Sequence, residues 1–194
     1  PLKAGASGTI NLNMSLQEKI NPLVRGKQEL VVGKTIFREG DKVMQTVNNY
    51  DLIWTKQNGL LNEEGSGVFN GDIGYITKIH QGSGETEVVF EDGRVCNYER
   101  TDIGELSLAY AITIHKSQGS EFDVVVIPII SGPSIILTRN LIYTAITRAK
   151  KMVVLVGSKK YLRRMISNNY TVVRQTMLKD FLLESSEKLK LLYD

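Results

Sequence analysis

The run from Asp123 to Ile130 constrains the fold most, because seven of its eight residues are apolar and four of them are β-branched valine or isoleucine before Pro128. Such an unbroken run suits a strand buried on both faces, the condition of a parallel sheet covered by helices. Met152 to Val156 repeats the pattern. Between the two, Thr138 can cap a helix running to about Lys150, and Ser158 can cap another through about Ile166. Buried strands alternating with helices argue for a parallel α/β layer. Tyr110 to Gln118 reads as a helix closed by Gly119, although Ile112, Thr113 and Ile114 leave a strand open. Met177 to Tyr193 is expected to form a further helix with a charged face.

Upstream the texture is different. From Ile36 to about Ser107, the turn-forming clusters Gly40-Asp41, Asn70-Gly71-Asp72, Gly82-Ser83-Gly84 and Glu91-Asp92-Gly93 punctuate short runs of Val, Ile, Tyr and Phe. Ile73 to Ile79 is a plausible strand. Thr86–Phe90 and Arg94–Tyr98 flank a Glu-Asp-Gly turn, the strongest hairpin signal in the chain. Strands this short and close suggest a small barrel, with SH3-like the best match. Ahead of it, Ile10, Leu12, Leu16 and Ile20 recur at helical spacing up to Pro22. The expected fold is therefore an α/β layer interrupted by an all-β insertion. Residues 1–35 and 108–194 would belong to the layer and 36–107 to the barrel, with the first helix returning to the layer across the insertion.

Composition excludes several classes. The 194 residues carry a net charge of +3, which permits a polyanionic partner without demanding one. Cys96 stands alone, so there is no disulfide framework, and a reducing cytoplasm is the expected location. No apolar run approaches the roughly 20 residues that span a bilayer, and no membrane partner is expected. The opening Pro1-Leu2-Lys3 lacks an initiator Met and any secretory pattern, as in a piece of a longer protein. His80, His115 and Cys96 lack metal-ligand spacing, and no nucleophile–base arrangement or acidic nuclease cluster stands out.

Two stretches carry chemistry. Thr113 to Phe122 reads Thr-Ile-His-Lys-Ser-Gln-Gly-Ser-Glu-Phe and crowds polar groups at the mouth of a buried strand. Ligands of open α/β sheets gather at strand ends, most often the carboxyl ends. Thr113, His115, Lys116, Ser117 and Gln118 suit phosphate oxygens, contacts that position a nucleic-acid strand without reading its sequence. The plainer alternative is a solvated helix end with a glycine cap. In the second stretch, Tyr143 to Ala149 reads Tyr-Thr-Ala-Ile-Thr-Arg-Ala. Arg148 near a helix end could stabilise charge on a transferring phosphoryl group, or, with Lys150 and Lys151, could merely complement the helix dipole. Tyr50, Trp54 and Phe69 could stack on bases or serve as barrel core. Lys159, Lys160, Arg163 and Arg164 read as a solvated helix face.

The two stretches resemble motifs V and VI of superfamily 1 helicases of the RecD branch, that of the exodeoxyribonuclease V alpha chain. The strings Gly40 to Tyr50 and Val68 to Gly74, and Gly8-Thr9 with Asn11, Asn13, Leu16-Gln17 and Asn21-Pro22, resemble the same family. The resemblance covers roughly Pro1 to Val156. It implies the second of two RecA-like motor domains, interrupted by an SH3-like subdomain, in an ATP-dependent helicase moving 5′ to 3′ on single-stranded DNA. Arg148 would be the arginine finger. Glu121, with the Gly119-Ser120 backbone, would couple nucleotide to DNA, and Lys3 would be a second phosphate-sensing cation. Thr113, His115 and Lys116 would hold the DNA backbone. No G-x-x-x-x-G-K-[ST] string occurs. ATP and Mg2+ would then be held mainly by an N-terminal motor domain of the same protein, leaving this part inactive alone. Other subunits of a repair nuclease are possible partners. The alternative is a non-catalytic nucleic-acid-binding or protein-interaction module of a repair complex.

Overall fold

The computed structural model describes residues 8–59, 61–170, 177 and 181–183. Lys3 and nearly all of the helix expected over Met177 to Tyr193 lie outside them. The chain opens with helix α1 (Thr9–Ile20), followed by the hairpin β1 (Glu29–Val32) and β2 (Thr35–Arg38). Then come β3 (Lys42–Gln45), β4 (Asn49–Asn58), β5 (Leu61–Val68), β6 (Ile73–Ile79), β7 (Thr86–Phe90) and β8 (Arg94–Tyr98). A 3-10 turn (Ile103–Glu105) leads into β9 (Leu106–Leu108). The remainder is β10 (Phe122–Ile129), α2 (Arg139–Ile146), β11 (Ala149–Gly157) and α3 (Lys159–Ser167).

Seven strands form one antiparallel sheet in the order β5-β4-β8-β7-β6-β3-β9. The strand over Ile73–Ile79 and the hairpin over 86–98 lie where the short run after Asp72 and the Glu-Asp-Gly turn predict them. Val43, Val68, Ile76, Val88, Phe90, Cys96 and Tyr98 build its core, joined by Leu30 and Phe37 from the preceding hairpin. Burial pushes the Cys96 thiol up to about 12, as desolvation disfavours its charged form. On the exposed β4–β5 ribbon, Trp54 faces Gly65 in register, and a Cβ at Gly65 would stand 2.4 Å from the indole Cζ2. The ring therefore lies over bare backbone, which only glycine provides.

β10 and β11 pair in parallel, with α2 in the connection, so a strand–helix–strand unit follows the antiparallel sheet. Ile127 and Ile129 pack on Ile142 and Ala145 of α2 and Met165 of α3. The expectation of burial on both faces is corrected. Val124, Val126, Met152 and Val156 stay at least half exposed, because among the described residues α2 and α3 cover one face only. The Thr138 hydroxyl accepts from the Leu141 N–H, as its capping role predicts. However, α2 stops at Ile146 and not near Lys150, and β11 begins three residues before Met152. Pairing with β10 from Phe122↔Ala149 onward fixes residues 149–151 as strand, a tertiary contact that helical pattern does not reveal. Ser158 stands at the N-cap of α3 without a side-chain cap bond.

Two further expectations change. Tyr110–Gln118 is a succession of turns, not a helix. β-Branched Ile112, Thr113 and Ile114 resist helix formation, and the Ser117 hydroxyl donates to the Ile114 carbonyl at 2.7 Å, a local bond that competes with helix. Helix α1 buries Thr9, Asn13 and Gln17, whereas Ile10, Met14 and Ile20 are at least half exposed. Its inward face is polar because the group it meets is a carboxylate, Asp41, which is fully buried. No described helix is long and apolar enough to cross a membrane.

Two consequences are measurable. In the folded chain Cys96 is expected to resist thiol reagents at pH 8 and to react only on unfolding; stoichiometric labelling of native protein would contradict its burial. Gly65→Ala is expected to cost about 1–3 kcal/mol through the clash with the indole. Urea titration followed by emission of Trp54, the chain's one tryptophan, reads both the loss and the ring's displacement, and unchanged stability with unchanged emission would contradict the packing.

Candidate functional site

The two chemistry-bearing stretches meet where β10 and β11 begin. Phe122 and Ala149 are in register, and the Phe122 N–H donates to the Arg148 carbonyl at 2.8 Å. Residues 119–121 and Arg148 thus flank each other at the amino ends of the parallel strands. Open α/β sheets most often gather ligands at the carboxyl ends; here the cluster lies at the amino ends, at the mouth of the strand that follows it, as its place in the sequence requires.

Arg148 is half-buried just beyond α2. Its Nη1 lies 3.4 Å from the Ser120 carbonyl, a long bond, while its Nε is buried with no hydrogen-bond partner among the described residues. A buried guanidinium N–H without an acceptor costs free energy that a hydrogen-bonded anion would recover. Lys150 and Lys151 sit on β11 rather than at the end of α2, and pair with Glu121 at 3.5 Å and Asp123 at 2.8 Å. All four side chains are more than half exposed, so these pairs add little to stability.

The turn before β10 is drawn tight by backbone bonds from the N–H groups of Lys116 and Ser117 to the Thr113 carbonyl, and from Ser120 to Ser117. Gly119 closes it with φ of +87°, a left-handed conformation that glycine adopts without a Cβ clash. His115, Lys116 and Gln118 are exposed on its surface, Thr113 is half-buried, and Ser117 is buried. The Ser117 hydroxyl therefore shapes the turn and does not face solvent. His115 and Gln118 line a groove of about 280 Å³ whose opposite wall is Ile135, Ile136, Thr138, Asn140 and Thr144. Asn140 and Thr144 had no assigned role from sequence; Asn140, beside the Thr138 cap, was the only visible hint.

The antiparallel sheet supports this turn from beneath. Met44 of β3 and Ile73 of β6 form a small cluster with Ala109, Ile112 and Phe122. The Lys42 ammonium lies 5.6 Å from the Tyr75 ring centre and 5.7 Å from that of Phe122, with Glu91 at 3.3 Å. Ser120 also borders a crevice lined by Asp72, Asp92 and Arg94. Burial notwithstanding, the hydrogen bonds from Arg94 hold the Asp92 carboxyl below its ordinary range. Tyr50 and Phe69 form an exposed edge-on pair with centroids 5.7 Å apart, distant in sequence from both stretches. Trp54 lies on Gly65 instead.

A family profile described as the ATP-dependent RecD-like DNA helicase SH3 domain matches residues 12–90, and one for a UvrD-like helicase C-terminal domain matches residues 108–156. The ATP-dependent RecD2 DNA helicase of Deinococcus radiodurans is 34% identical over 81% of this chain and 19% of its own length. The RecBCD enzyme subunit RecD of Mycobacterium tuberculosis is 37% identical over 55% of this chain and 18% of its own length. The chain thus spans about a fifth of these relatives. Among solved structures, a Pif1 helicase studied at forked double-stranded DNA superposes with a TM-score of 0.48 at 20% identity, over 90% of this chain and 43% of that one. The first profile covers most of the supporting sheet and the second contains both stretches, and the chain belongs to the RecD-like DNA helicase family.

Proposed function

We propose that this chain is the C-terminal motor part of an ATP-dependent DNA helicase moving 5′ to 3′ on single-stranded DNA. Residues 1–35 and 108–194 contribute to a RecA-like motor domain, and residues 36–107 form an SH3-like barrel inserted in it. The exposed apolar face of Val124, Val126, Met152 and Val156 supports a motor sheet whose second face is covered by other segments of the same protein. A separate N-terminal motor domain of that protein mainly holds ATP and Mg2+.

The observation that carries the reading is the Arg148 guanidinium beside the Ser120 carbonyl, with its Nε buried and without a partner among the described residues. A cation with an unused, desolvated N–H fits a phosphate oxygen, where charge-assisted bonds are strongest. ATP supplies the phosphoryl group whose transfer releases the energy of movement. Arg148 stabilises negative charge on that group when the two motor domains close, and so acts as the finger. Gly119, Ser120 and Glu121, one strand-pairing step from Arg148, pass the closure to the turn at Thr113–Gln118. There Thr113, His115, Lys116 and Gln118 hold phosphates of the DNA strand, and Ser117 keeps the turn in shape. Lys3 is a second phosphate-sensing cation.

The test uses the full-length protein that carries this chain. Arg148→Ala is expected to lower ATP hydrolysis by about 10³-fold or more while single-stranded DNA affinity changes by less than about twofold. A folded variant that hydrolyses ATP at the parent's rate would remove the finger assignment.

A further inference from the structure

Helix α1 presents one residue every fourth position, Thr9, Asn13, Gln17 and the C-cap Asn21, as a polar stripe that is at least nine-tenths buried. This spacing keeps all four on a single helix face. The stripe meets two segments far apart in sequence. The Asn13 amide pairs with the backbone of Ala111 in both directions: its Nδ2 donates to the carbonyl at 2.9 Å, and its Oδ1 accepts from the N–H at 2.8 Å. Gln17 Nε2 donates to Asp41 Oδ2 at 2.6 Å, and Asn21 Nδ2 to Asp41 Oδ1 at 2.7 Å. Asp41 is completed by the Arg38 N–H at 2.7 Å and by the Tyr110 hydroxyl at 2.9 Å. Two donors therefore reach each carboxylate oxygen.

Tyr110 and Ala111 lead, through Ile112, into the turn that begins at Thr113. From α1, the paired bonds of Asn13 hold Ala111, and Gln17 and Asn21 hold the Asp41 carboxylate that Tyr110 donates to; these contacts are directional, where an apolar contact would allow sliding. A purely structural seam would be as stable with an apolar stripe, since buried polar pairs contribute little net stability over well-packed hydrophobics. Their geometric specificity is what they add.

We infer that Asn13 and Asp41 are positioning residues, which act through Ala111 and Tyr110 to hold the Thr113–Gln118 turn in the geometry that grips the DNA strand. The inference rests on the reading of that turn as the strand-contacting element. It gives the Gly40-Asp41 string and the Asn13–Gln17–Asn21 spacing a role in the motor's grip on DNA, beyond holding the barrel in place.

Amide hydrogen exchange on this chain and DNA binding by the full-length protein separate the possibilities. In Asn13→Ala, amides of residues 111–118 are expected to exchange about tenfold faster, with those of Val88 and Val95 in the sheet unchanged within about twofold. In the full-length protein the same variant is expected to weaken single-stranded DNA binding by about tenfold and to leave the KM for ATP at saturating DNA within about twofold. Tyr110→Phe, which removes one hydroxyl from Asp41, serves as the milder variant and is expected to move both readouts in the same direction. Unchanged exchange at 111–118, or equal acceleration throughout the sheet, would overturn the positioning role. Faster exchange with unaltered DNA affinity would instead overturn the assignment of the turn to DNA.

Discussion

The register of β10 on β11 governs the site. Phe122 opposite Ala149, sealed by the bond from the Phe122 N–H to the Arg148 carbonyl, sets Gly119–Glu121 beside Arg148. A shift of one residue along either strand would turn the side chains to the other face of the sheet and move Arg148 away from Ser120. The register is held by Ile127 and Ile129 seated on α2 and α3. A modest apolar core thus fixes the position of a guanidinium whose Nε has no acceptor among the described residues. The site's chemistry follows from packing on the far side of the strands.

A second constraint lies where the antiparallel sheet joins this unit. Burying an unpaired carboxylate is costly, so the fully buried Asp41 demands donors, and it receives them from α1, from Arg38 and from Tyr110. Burial, together with the bond to Asp41, raises the Tyr110 phenol above its ordinary range, so it remains a donor in neutral solution. Arg38 is tied to Glu18 and Glu29, and carries a raised pKa despite the desolvation that opposes it. Below this polar seam, Met44 and Ile73 reach Ile112 and Phe122. The strings Gly40–Tyr50 and Val68–Gly74 therefore supply both kinds of support for the turn, one polar and one apolar.

Much of this was legible in the sequence where the signal is local. The Glu-Asp-Gly hairpin, the Thr138 cap and the apolar runs of β10 and β11 depend on neighbouring residues and turn chemistry alone. The misread parts depend on distant partners. The end of α2 is set by strand pairing with residues 122–124, and the buried face of α1 by a carboxylate 24 residues beyond Gln17. A hydrophobic pattern points to the wrong face whenever the partner is charged. The strings from 113 to 122 and from 143 to 149 stand out in the sequence, whereas their meeting at the start of β10 and β11 needed coordinates. Of the groove residues, Thr144 carried no signal of its own and Asn140 only its place beside the Thr138 cap, because the fold alone brings them opposite His115 and Gln118.

The sharpest test of the account is the structure of the full-length protein bound to single-stranded DNA and to ADP with a phosphoryl-transfer analogue. The account predicts that the Arg148 guanidinium bonds the analogue at about 3 Å through a nitrogen that now lacks an acceptor, with Gly119 and Ser120 still alongside. An Arg148 that keeps to the Ser120 carbonyl in the closed complex, with another cation on the analogue, would contradict it.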